Sequence, residues 1–558
     1  MKLIKENTLL FSILLFGTIL RVWSLDKVPV SLFGDEIDVG IQANSILVTG
    51  RDYFSNFLPV IFHSFSEYRL PMQIYFSVPF IKLFGLNEWG VRLASVLFGV
   101  VSLAGFYLLV KELLAKRVAL IATLFLSISP WHLHFSRQAN DSGFLLPFVI
   151  FGTWFFVKGL KEYKFLLFSA ITFALSFYSY ATSALFTPLY ILILLLLFRK
   201  KIFKYPIKKL VLLAILVLLI LAPYLKATRS NMTTTRFNYI SVASEDEIAG
   251  EVTKKRTWSD SSLTRLFYNR TSIIFSEVLN NYLNTFSTNL LFVNGDPILR
   301  HSVGGMGELF YFDLILIGFG ILVLVGKHRE SSSKSLNALI ILLVWLFVAP
   351  IPSSLTDGGG YHAARQLPML PVFIIFSAIG FDYFLTKFEG GYKKIVLYFF
   401  IFLMTLNATY YLHKYYVVWP KESWRFWQSG YKESMTYVKE VEAKFDRIYI
   451  NNTYESALPR FLFWYQYDPQ LFLAKFEDDK HIVNIMPGFD GFKLGEKYYF
   501  GEFEKPIEQL LDRSSLIVAS ARDDITDINI FNKPEILLLK TIYSPVGSPL
   551  FYVFTASE

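Results

Sequence analysis

Long apolar segments recur along this chain of 558 residues, and they constrain its fold more than any other feature. A helix needs about 20 mostly apolar residues to cross a bilayer, and eleven segments approach that length. Hydrophobic residues make up 53% of the chain and charged residues only 18%, which excludes a set of water-soluble domains. The absence of cysteine excludes disulfide scaffolds and thiolate chemistry. The predicted spans are Thr8–Trp23, Trp89–Val110, Val118–Phe135, Phe144–Val157, Phe165–Ala181, Ala184–Phe198, Leu210–Leu225, Leu309–Val325, Leu336–Ile351, Leu367–Leu385 and Ile395–Leu412.

Lysine and arginine are distributed unevenly between the loops that join these spans. With a cytoplasmic N-terminus, the inside loops hold most of the basic residues, including six between positions 199 and 209. The short outside loops then carry only Arg137 and Arg365. This asymmetry follows the positive-inside rule. We therefore predict a multi-pass protein of the plasma (inner) membrane, and the net charge of +9 needs no nucleic-acid partner.

Three large segments then lie outside the membrane. They are the first outer loop at 25–88, the second outer loop at 226–308 and the C-terminal segment from residue 416. The predicted domains are a transmembrane domain at 1–415 and an extracytoplasmic α/β domain at 416–558. The α/β prediction rests on a helical pattern followed by short apolar runs. These are Glu433–Phe445, then Arg447–Ile450, Ser515–Ala519, Ile536–Leu539 and Phe551–Phe554.

Adjacent carboxylates stand out in the first outer loop. Asp35 and Glu36 follow the first span by about a dozen residues, with Asp38 close behind. Such a pair supplies a general base, a metal ligand or an orienting partner. The alternative is a solvated loop, or a helix over Asp38–Leu47 with Asp35 as its N-cap. The pair alone does not decide between these interpretations.

Four arginines lie at the predicted outer boundary of the membrane: Arg21, Arg92, Arg137 and Arg365. A guanidinium binds phosphate in bidentate fashion and keeps its charge at any relevant pH. The alternative for each is ordinary snorkelling or contact with anionic lipid. Four arginines on the side that carries few positive charges favour a lipid-phosphate site.

A glycine-rich segment precedes the tenth span. It ends in Gly358-Gly359-Gly360-Tyr361-His362, and His362 or Arg365 could offset the charge on a leaving group. No second histidine stands at a metal-ligand spacing from His362 or from His301, so both are predicted to be structural and no metal site is predicted. The basic stretch at 254–256 is interpreted as a solvated face or a lipid contact.

The order of these motifs resembles the membrane C-type glycosyltransferases. Arg21 and the Asp35-Glu36 pair precede LPMQIYFSVPFIKLFGLNEWGVRLASVLFG, then SPWHLHFSRQAND and later GGGYHAARQLPMLP. The resemblance covers about residues 9–412. It is strongest to the bacterial branch near the protein O-mannosyltransferases and the lipid A aminoarabinose transferases.

The resemblance implies inverting transfer of one sugar from a polyprenyl-phosphate donor to an acceptor on the outer side of the membrane. By position, Asp35 matches the general base that deprotonates the acceptor hydroxyl, and Glu36 matches its orienting partner. The acceptor could be a protein, a lipid or a glycan, and membrane lipids are the other expected partners. The sequence has no DxD-type metal motif, so no cofactor is expected.

The same resemblance implies roles for the positive residues. Arg21 and Arg92 match arginines that support the first outer loop or contact the donor phosphate. Arg137 and Arg365 are looser matches and candidate phosphate contacts, as is His362.

Three other classes remain open from the sequence, one of which is a non-catalytic membrane assembly protein. A polyprenyl-linked polysaccharide polymerase or ligase also uses a lipid carrier and a large outer loop, but depends on arginine and histidine in a late loop. A transporter should show internal repeats and broken helices near the midplane. The predicted spans here hold almost no Asp or Glu.

Overall fold

The structure, a computed structural model, is predominantly helical. It describes residues 2–64, 68–228, 241–242, 245–258, 261–329, 333–452, 456–476, 482–486, 489–503, 507, 510–525 and 527–557, so parts of the second outer loop and of the C-terminal segment lie outside the described residues. The α-helices are Lys2–Val22, Gly34–Thr49, Pro71–Phe84, Glu88–Leu113, Lys116–Ile128, Pro130–Phe135, Asp141–Gly159, Tyr163–Ser176, Ser183–Leu197, Arg199–Ile202, Ile207–Thr228, Glu245–Arg256, Ser262–Phe267, Arg270–Asn284, Tyr311–Arg329, Ser333–Val348, Ile351–Ser354, Ala363–Gln366, Leu370–Lys387, Gly390–His413, Trp419–Ser423, Tyr431–Val441, Ala457–Phe461 and Pro469–Lys475. Short π-helical turns cover Asn289–Val293, Lys414–Val418 and Leu462–Gln466, and 3₁₀ turns cover Gly359–Tyr361, Leu367–Met369, Glu442–Lys444 and Ile528–Asn532.

Each of the eleven predicted spans coincides with helix, and the chain is a multi-pass membrane protein. Among the described residues, six helices are long and apolar enough to cross a bilayer, and four shorter apolar helices accompany them. The predicted span Val118–Phe135 is two helices, because the chain breaks at Ser129 before Pro130. Proline lacks the N–H group that would continue the first of these helices. The number of crossings stays a prediction.

The chain forms two compact units. The first comprises Met1–Trp23, Leu70–Met72 and Ser95–Lys414, and the second comprises Ser24–Arg69, Gln73–Ala94 and Tyr415–Glu558. Most of the first outer loop therefore belongs with the C-terminal segment. The assignment of 1–415 and 416–558 as functional domains stays a prediction.

In the first unit, glycines let two apolar helices approach closely. A Cβ atom on Gly320 would lie 1.9 Å from the carbonyl oxygen of Phe376, and one on Gly380 would lie 2.1 Å from that of Leu316. The helices Tyr311–Arg329 and Leu370–Lys387 therefore pack backbone against backbone. Small residues at such contacts are typical of helix pairs in membranes, where van der Waals packing drives association.

The second unit is built on a mixed sheet of seven strands. The described strands are β1 Phe62–His63, β2 Tyr68–Arg69, β3 Arg447–Asn451, β4 Ile482–Met486, β5 Phe489–Leu494, β6 Tyr498–Phe503, β7 Ser515–Ser520, β8 Ile536–Tyr543 and β9 Pro549–Ala556. The sheet has the order β4-β5-β6-β3-β7-β9-β8, in which β3 pairs parallel with β6 and β7 and the other pairs are antiparallel. The four apolar runs predicted as strands are confirmed as β3, β7, β8 and β9. Strands β4 to β6 were not predicted.

One face of this sheet carries a continuous core. Tyr499, Tyr449, Ile517 and Phe554 lie side by side on four neighbouring strands, and all four are buried. Their alternation with residues of the opposite face follows the period of two in a β-strand. The opposite face packs against the helices that follow β3, where the rings of Phe500 and Phe461 are 5.2 Å apart.

The helix Gly34–Thr49 packs against those helices within the second unit. A Cβ atom on Gly40 would lie 2.3 Å from the ring of Phe463 and 3.0 Å from Val91. Glycine at this position allows the helix to sit directly on the aromatic ring. The acidic pair at its start is thereby fixed to the β-sheet unit.

Candidate active site

The predicted acidic pair lies in the first turn of the helix Gly34–Thr49. Phe33 precedes this helix with extended backbone and makes no side-chain cap. Asp35 and Glu36 are favoured there because the first turn of a helix has unpaired N–H groups and a partial positive charge. The alternative in which Asp35 caps a helix that starts at Asp38 is wrong, since Asp35 already lies within the helix.

Glu36 is paired with Arg92 in the interior of the second unit. The Nε and Nη2 atoms of Arg92 donate to the two carboxylate oxygens at 3.0 and 2.9 Å. The same guanidinium donates to the carbonyl oxygens of Leu25, Pro29 and Ser31 at 2.9, 3.1 and 2.5 Å. Both side chains are buried. The pair therefore ties the start of the helix to the turns and bends that precede it.

Asp35 has a different environment from Glu36. Its Oδ1 atom lies 2.6 Å from Nη2 of Arg69, and 43% of its side chain is exposed. Arg69 also pairs with the buried Asp38, Nε to Oδ2 at 2.5 Å, and Tyr53 donates its hydroxyl to Asp38. Burial raises the pKa of Asp38, although the Arg69 guanidinium opposes this shift. Asp35 thus combines an exposed carboxylate with an orientation fixed by an ion pair.

Arg69 and Tyr53 were not among the predicted site residues. The only available signal was the spacing of Asp35 and Asp38, which places both on one face of a helix. Arg69 reaches them through the pairing of β2 with β1, in which Arg69 lies opposite Phe62. Two-residue strands leave no period in the sequence that would predict this pairing.

In the first unit, Arg21 binds the ends of neighbouring helices. Its Nη1 atom donates to the carbonyl oxygens of Gly17 and Ser127 at 2.7 and 3.1 Å, and its Nη2 lies 2.5 Å from Nδ1 of His132. Because a guanidinium only donates, His132 accepts at Nδ1 and carries its proton at Nε2. All three contacts are buried, so Arg21 connects the first helix to the helix Pro130–Phe135, which contains His132.

Arg137 caps the C-terminal end of the same helix. Its Nη1 atom donates to the carbonyl oxygens of Leu20 and Arg21, both at 2.9 Å. Carbonyl groups in the last turn of a helix lack intrahelical partners, and a basic side chain satisfies them. The structure thus brings Arg21 and Arg137 together, and both are fully buried.

The glycine-rich segment brings His362 against the second outer loop within the first unit. The rings of His301 and His362 are 4.6 Å apart and inclined by 31°. Nδ1 of His301 lies 2.9 Å from Oδ2 of Asp296, which also accepts the backbone N–H of Ala363 at 2.8 Å. Asp296 therefore joins the two segments.

Positive groups surround His362. Burial lowers its pKa well below the ordinary value, and His301, Arg365 and Arg300 add to this effect. Arg365 donates from Nη1 to the hydroxyl of Thr356 at 2.6 Å and keeps part of its surface exposed. A neutral imidazole beside two guanidinium groups suits an anionic ligand.

Asp296, His301 and His362 also satisfy the distances of a metal site. Their ligand atoms lie within 4.8 Å of one another. The sequence argument found no second histidine at a metal-ligand spacing, whereas the fold supplies one from a segment 61 residues away. One aspartate and two histidines are an ordinary set of ligands for a divalent cation.

The predicted residues are distributed over both units. The second unit holds Asp35, Glu36 and Arg92. The first unit holds Arg21 with Arg137 at the end of the first helix. It also holds His362 with Arg365 in the segment 355–369, called the late loop below.

Structural comparison finds the same fold in ArnT. The structure of ArnT from Cupriavidus metallidurans bound to undecaprenyl phosphate aligns with a TM-score of 0.53, covering 99% of this chain and 97% of ArnT at 11% identity. The apo structure of the same protein aligns with a TM-score of 0.52 at 12% identity. At such low sequence identities, the structural likeness establishes a shared fold and nothing further.

Two sequence comparisons match mannosyltransferases over part of this chain. A profile of the family described as dolichyl-phosphate-mannose-protein mannosyltransferase matches residues 69–225. YkcB of Bacillus subtilis (strain 168), whose own assignment as a mannosyltransferase is provisional, is 32% identical over 82 residues. That match spans 15% of this chain and 12% of YkcB. The resemblance predicted from the ordered motifs is confirmed.

Proposed function

We propose that this protein is an inverting glycosyltransferase that moves one sugar from a polyprenyl-phosphate donor to a hydroxyl group of a protein, lipid or glycan acceptor. The proposal is supported by the fold shared with a protein whose structure holds undecaprenyl phosphate. It is also supported by the matching mannosyltransferase profile. The single observation that carries the chemistry is the exposed, oriented carboxylate of Asp35.

Asp35 suits the general base better than Glu36 does. Both carboxylate oxygens of Glu36 accept hydrogen bonds from Arg92, and only 3% of its side chain is exposed. Asp35 keeps a large exposed surface while Arg69 fixes its direction. A base must reach the proton that it removes, so exposure decides between the two. Glu36 and Arg92 then act as positioning residues.

The proposed reaction is a single displacement. Asp35 takes the proton of the acceptor hydroxyl while the acceptor oxygen forms a bond to the anomeric carbon. The bond between that carbon and the phosphate oxygen breaks, and its electron pair leaves on polyprenyl phosphate. Attack from the face opposite the phosphate inverts the anomeric centre. Fixed positive charge at the phosphate stabilises the transition state.

The proposal gives the phosphate contact to His362 and Arg365. These two are only partly buried, whereas Arg21, Arg92 and Arg137 are fully buried and donate to backbone carbonyl groups. The buried arginines then hold the first helix and the first outer loop in place. Their sequence-predicted role as direct phosphate ligands remains a prediction.

The distribution of basic residues supports an orientation for the reaction. With the N-terminus in the cytoplasm, the acidic pair, the late loop and the C-terminal segment all lie outside the plasma membrane. On that side of the membrane, the polyprenyl-linked sugar is itself the donor, so the reaction does not require a nucleotide sugar. Cysteine-specific labelling of the chain, which has no native cysteine, would test this orientation.

The activity is tested with purified protein in nanodiscs and a panel of polyprenyl-phosphate sugars. Release of polyprenyl phosphate is measured for the wild type, Asp35→Asn and the control Asp26→Asn, which alters another partly buried carboxylate of the same loop. We expect Asp35→Asn to lower release by about 10²-fold or more, as for loss of a general base, and Asp26→Asn to behave as the wild type. Binding of the donor should be unchanged in both.

Two outcomes would contradict the proposal. If Asp35→Asn keeps full activity, Asp35 is not the base. If the wild type neither releases nor binds polyprenyl phosphate with any donor, the chain is not a transferase of this class.

A further inference from the structure

The described part of the second outer loop exposes a large apolar surface. Three helices, Glu245–Arg256, Ser262–Phe267 and Arg270–Asn284, follow one another there. Between 44% and 71% of each of the largest apolar side chains is exposed. Extended apolar patches of this kind mark contact with a membrane or a partner. The exposed residues, named the loop surface below, are Trp258, Leu263, Leu266, Phe267, Phe275, Leu279 and Leu283.

The helix Arg270–Asn284 has apolar residues on the side that faces away from the protein. Ile273 and Asn281 are its buried residues. Phe275, Leu279 and Leu283 follow at a spacing of four residues, about 200–280° around the helix from Ile273. A helix at a protein–water boundary should carry polar residues on that side. Its outward side therefore suits an apolar environment.

Hydrogen bonds fix this helix where an apolar span ends. Asn281 donates to the carbonyl oxygen of Thr356 at 3.1 Å and accepts the N–H of Gly360 at 3.3 Å. The hydroxyl of Tyr282 donates to the carbonyl oxygen of Phe347 at 2.9 Å. Phe347 lies near the end of the candidate span Ser335–Ser354 and is itself half exposed. The helix consequently lies at the depth where hydrocarbon gives way to headgroups.

Basic residues accompany the apolar ones. The stretch 251–270 contains five basic and two acidic residues. Lys254, Lys255 and Arg256 end the first of the three helices, where Glu251 pairs with Lys255 at 2.6 Å. Nε of Arg256 donates to the carbonyl oxygen of Tyr268 at 3.0 Å, which ties this basic turn to the Ser262–Phe267 helix. Positive charge next to exposed tryptophan and phenylalanine is typical of segments that lie in an anionic membrane interface.

We propose that the loop surface lies in the headgroup region of the bilayer and is held there by anionic phospholipid. Its apolar residues enter the boundary of the hydrocarbon, and the basic turn at 254–256 contacts the lipid phosphates. The occupant is the protein's own membrane and not a second copy of the chain, because the surface lies at the end of a span and combines apolar with basic residues. The inference goes beyond the proposed function and does not depend on it.

The chain contains no cysteine, so single cysteines report cleanly on this surface. Trp258→Cys and Leu279→Cys are labelled with an environment-sensitive fluorophore in nanodiscs that contain doxyl-labelled lipid as quencher. Val546→Cys, which replaces an exposed residue between β8 and β9, is the control. We expect quenching at positions 258 and 279 at least about twofold stronger than at 546.

The contribution of charge is measured with phosphatidylcholine nanodiscs and with others in which about one third of the lipid is phosphatidylglycerol. Anionic lipid should increase quenching at 258, and Lys254→Gln, Lys255→Gln and Arg256→Gln together should abolish the increase. Fluorophores that remain in water with every lipid would overturn the proposal. Unquenched but solvent-protected fluorophores, with disulfide formation between two Trp258→Cys chains, would show instead that a second copy covers the surface.

Discussion

Replacing Arg92 by lysine should loosen the first outer loop without removing a charge. Arg92 makes five hydrogen bonds, two to Glu36 and three to backbone carbonyl groups, and a guanidinium has five N–H groups. An ammonium group has three, so at least two buried acceptors lose their donor. Each loss costs about 1–3 kcal/mol, and we expect Arg92→Lys to destabilise the loop by about 3 kcal/mol.

The expected effect is measured by hydrogen–deuterium exchange of peptides that cover residues 24–33. A loss of about 3 kcal/mol corresponds to roughly 10²-fold faster exchange where local opening limits the rate. Arg447→Lys is the matched control in the same unit, since its ion pair with Asp512 is about half exposed and such pairs contribute little. Unchanged exchange in Arg92→Lys would refute the view that the guanidinium holds the loop.

The same variant separates the two roles predicted for Arg92. A positioning residue should lower kcat while the donor affinity stays within about twofold, because the phosphate contact is intact. A direct phosphate ligand should raise the Kd of the donor. A raised Kd of the donor together with unchanged hydrogen–deuterium exchange of the loop would indicate that Arg92 is a direct phosphate ligand.

Three further outcomes are expected. Gly320→Ala should lower the thermal midpoint and the yield of folded protein, because its Cβ would lie 1.9 Å from a carbonyl oxygen of the neighbouring helix, whereas Gly318→Ala meets no atom within 4 Å and should be neutral. Arg69→Gln should lower kcat by about 10- to 100-fold without weakening donor binding, as for loss of a side chain that orients a functional group, and equal activity would exclude a role in holding Asp35. Burial raises the pKa of Asp524 to about 6, so folding favours its protonated form. The stability of the protein should therefore fall as the pH rises from about 4 to 6. Asp524→Asn should remove this part of the pH dependence of the thermal midpoint.

The spans and half of the sheet could be predicted because their signals are local. Eleven apolar segments correspond to helices, and the runs that became β3, β7, β8 and β9 are short and rich in β-branched or aromatic residues. The strands β5 and β6 escaped detection because charged and glycine residues interrupt their pattern, as Asp490 and Gly491 do in β5. The split at Ser129 was missed because the segment stays apolar across Pro130.

The site was predictable only where residue type carried the signal. The acidic pair stands out in the sequence. The different roles proposed for Asp35 and Glu36, however, depend on which arginine forms an ion pair with each. Arg69 comes from a two-residue strand, and the meeting of His301 with His362 depends on the second outer loop and the late loop packing together. Contacts between distant segments leave no period or spacing in a single sequence.

The arginines can be sorted by what their N–H groups already bind. A guanidinium that donates to buried backbone carbonyl groups must break those bonds to bind a ligand, and each buried carbonyl left behind costs free energy. Arg92 meets this condition with three carbonyl groups, and Arg21 and Arg137 each meet it with two. Arg365 instead donates to the hydroxyl of Thr356, which can rotate to another partner. Arg365 also keeps part of its surface exposed, where a lipid phosphate can reach it. Arg365→Gln should therefore weaken donor binding more than any substitution that leaves the fold intact at the other three.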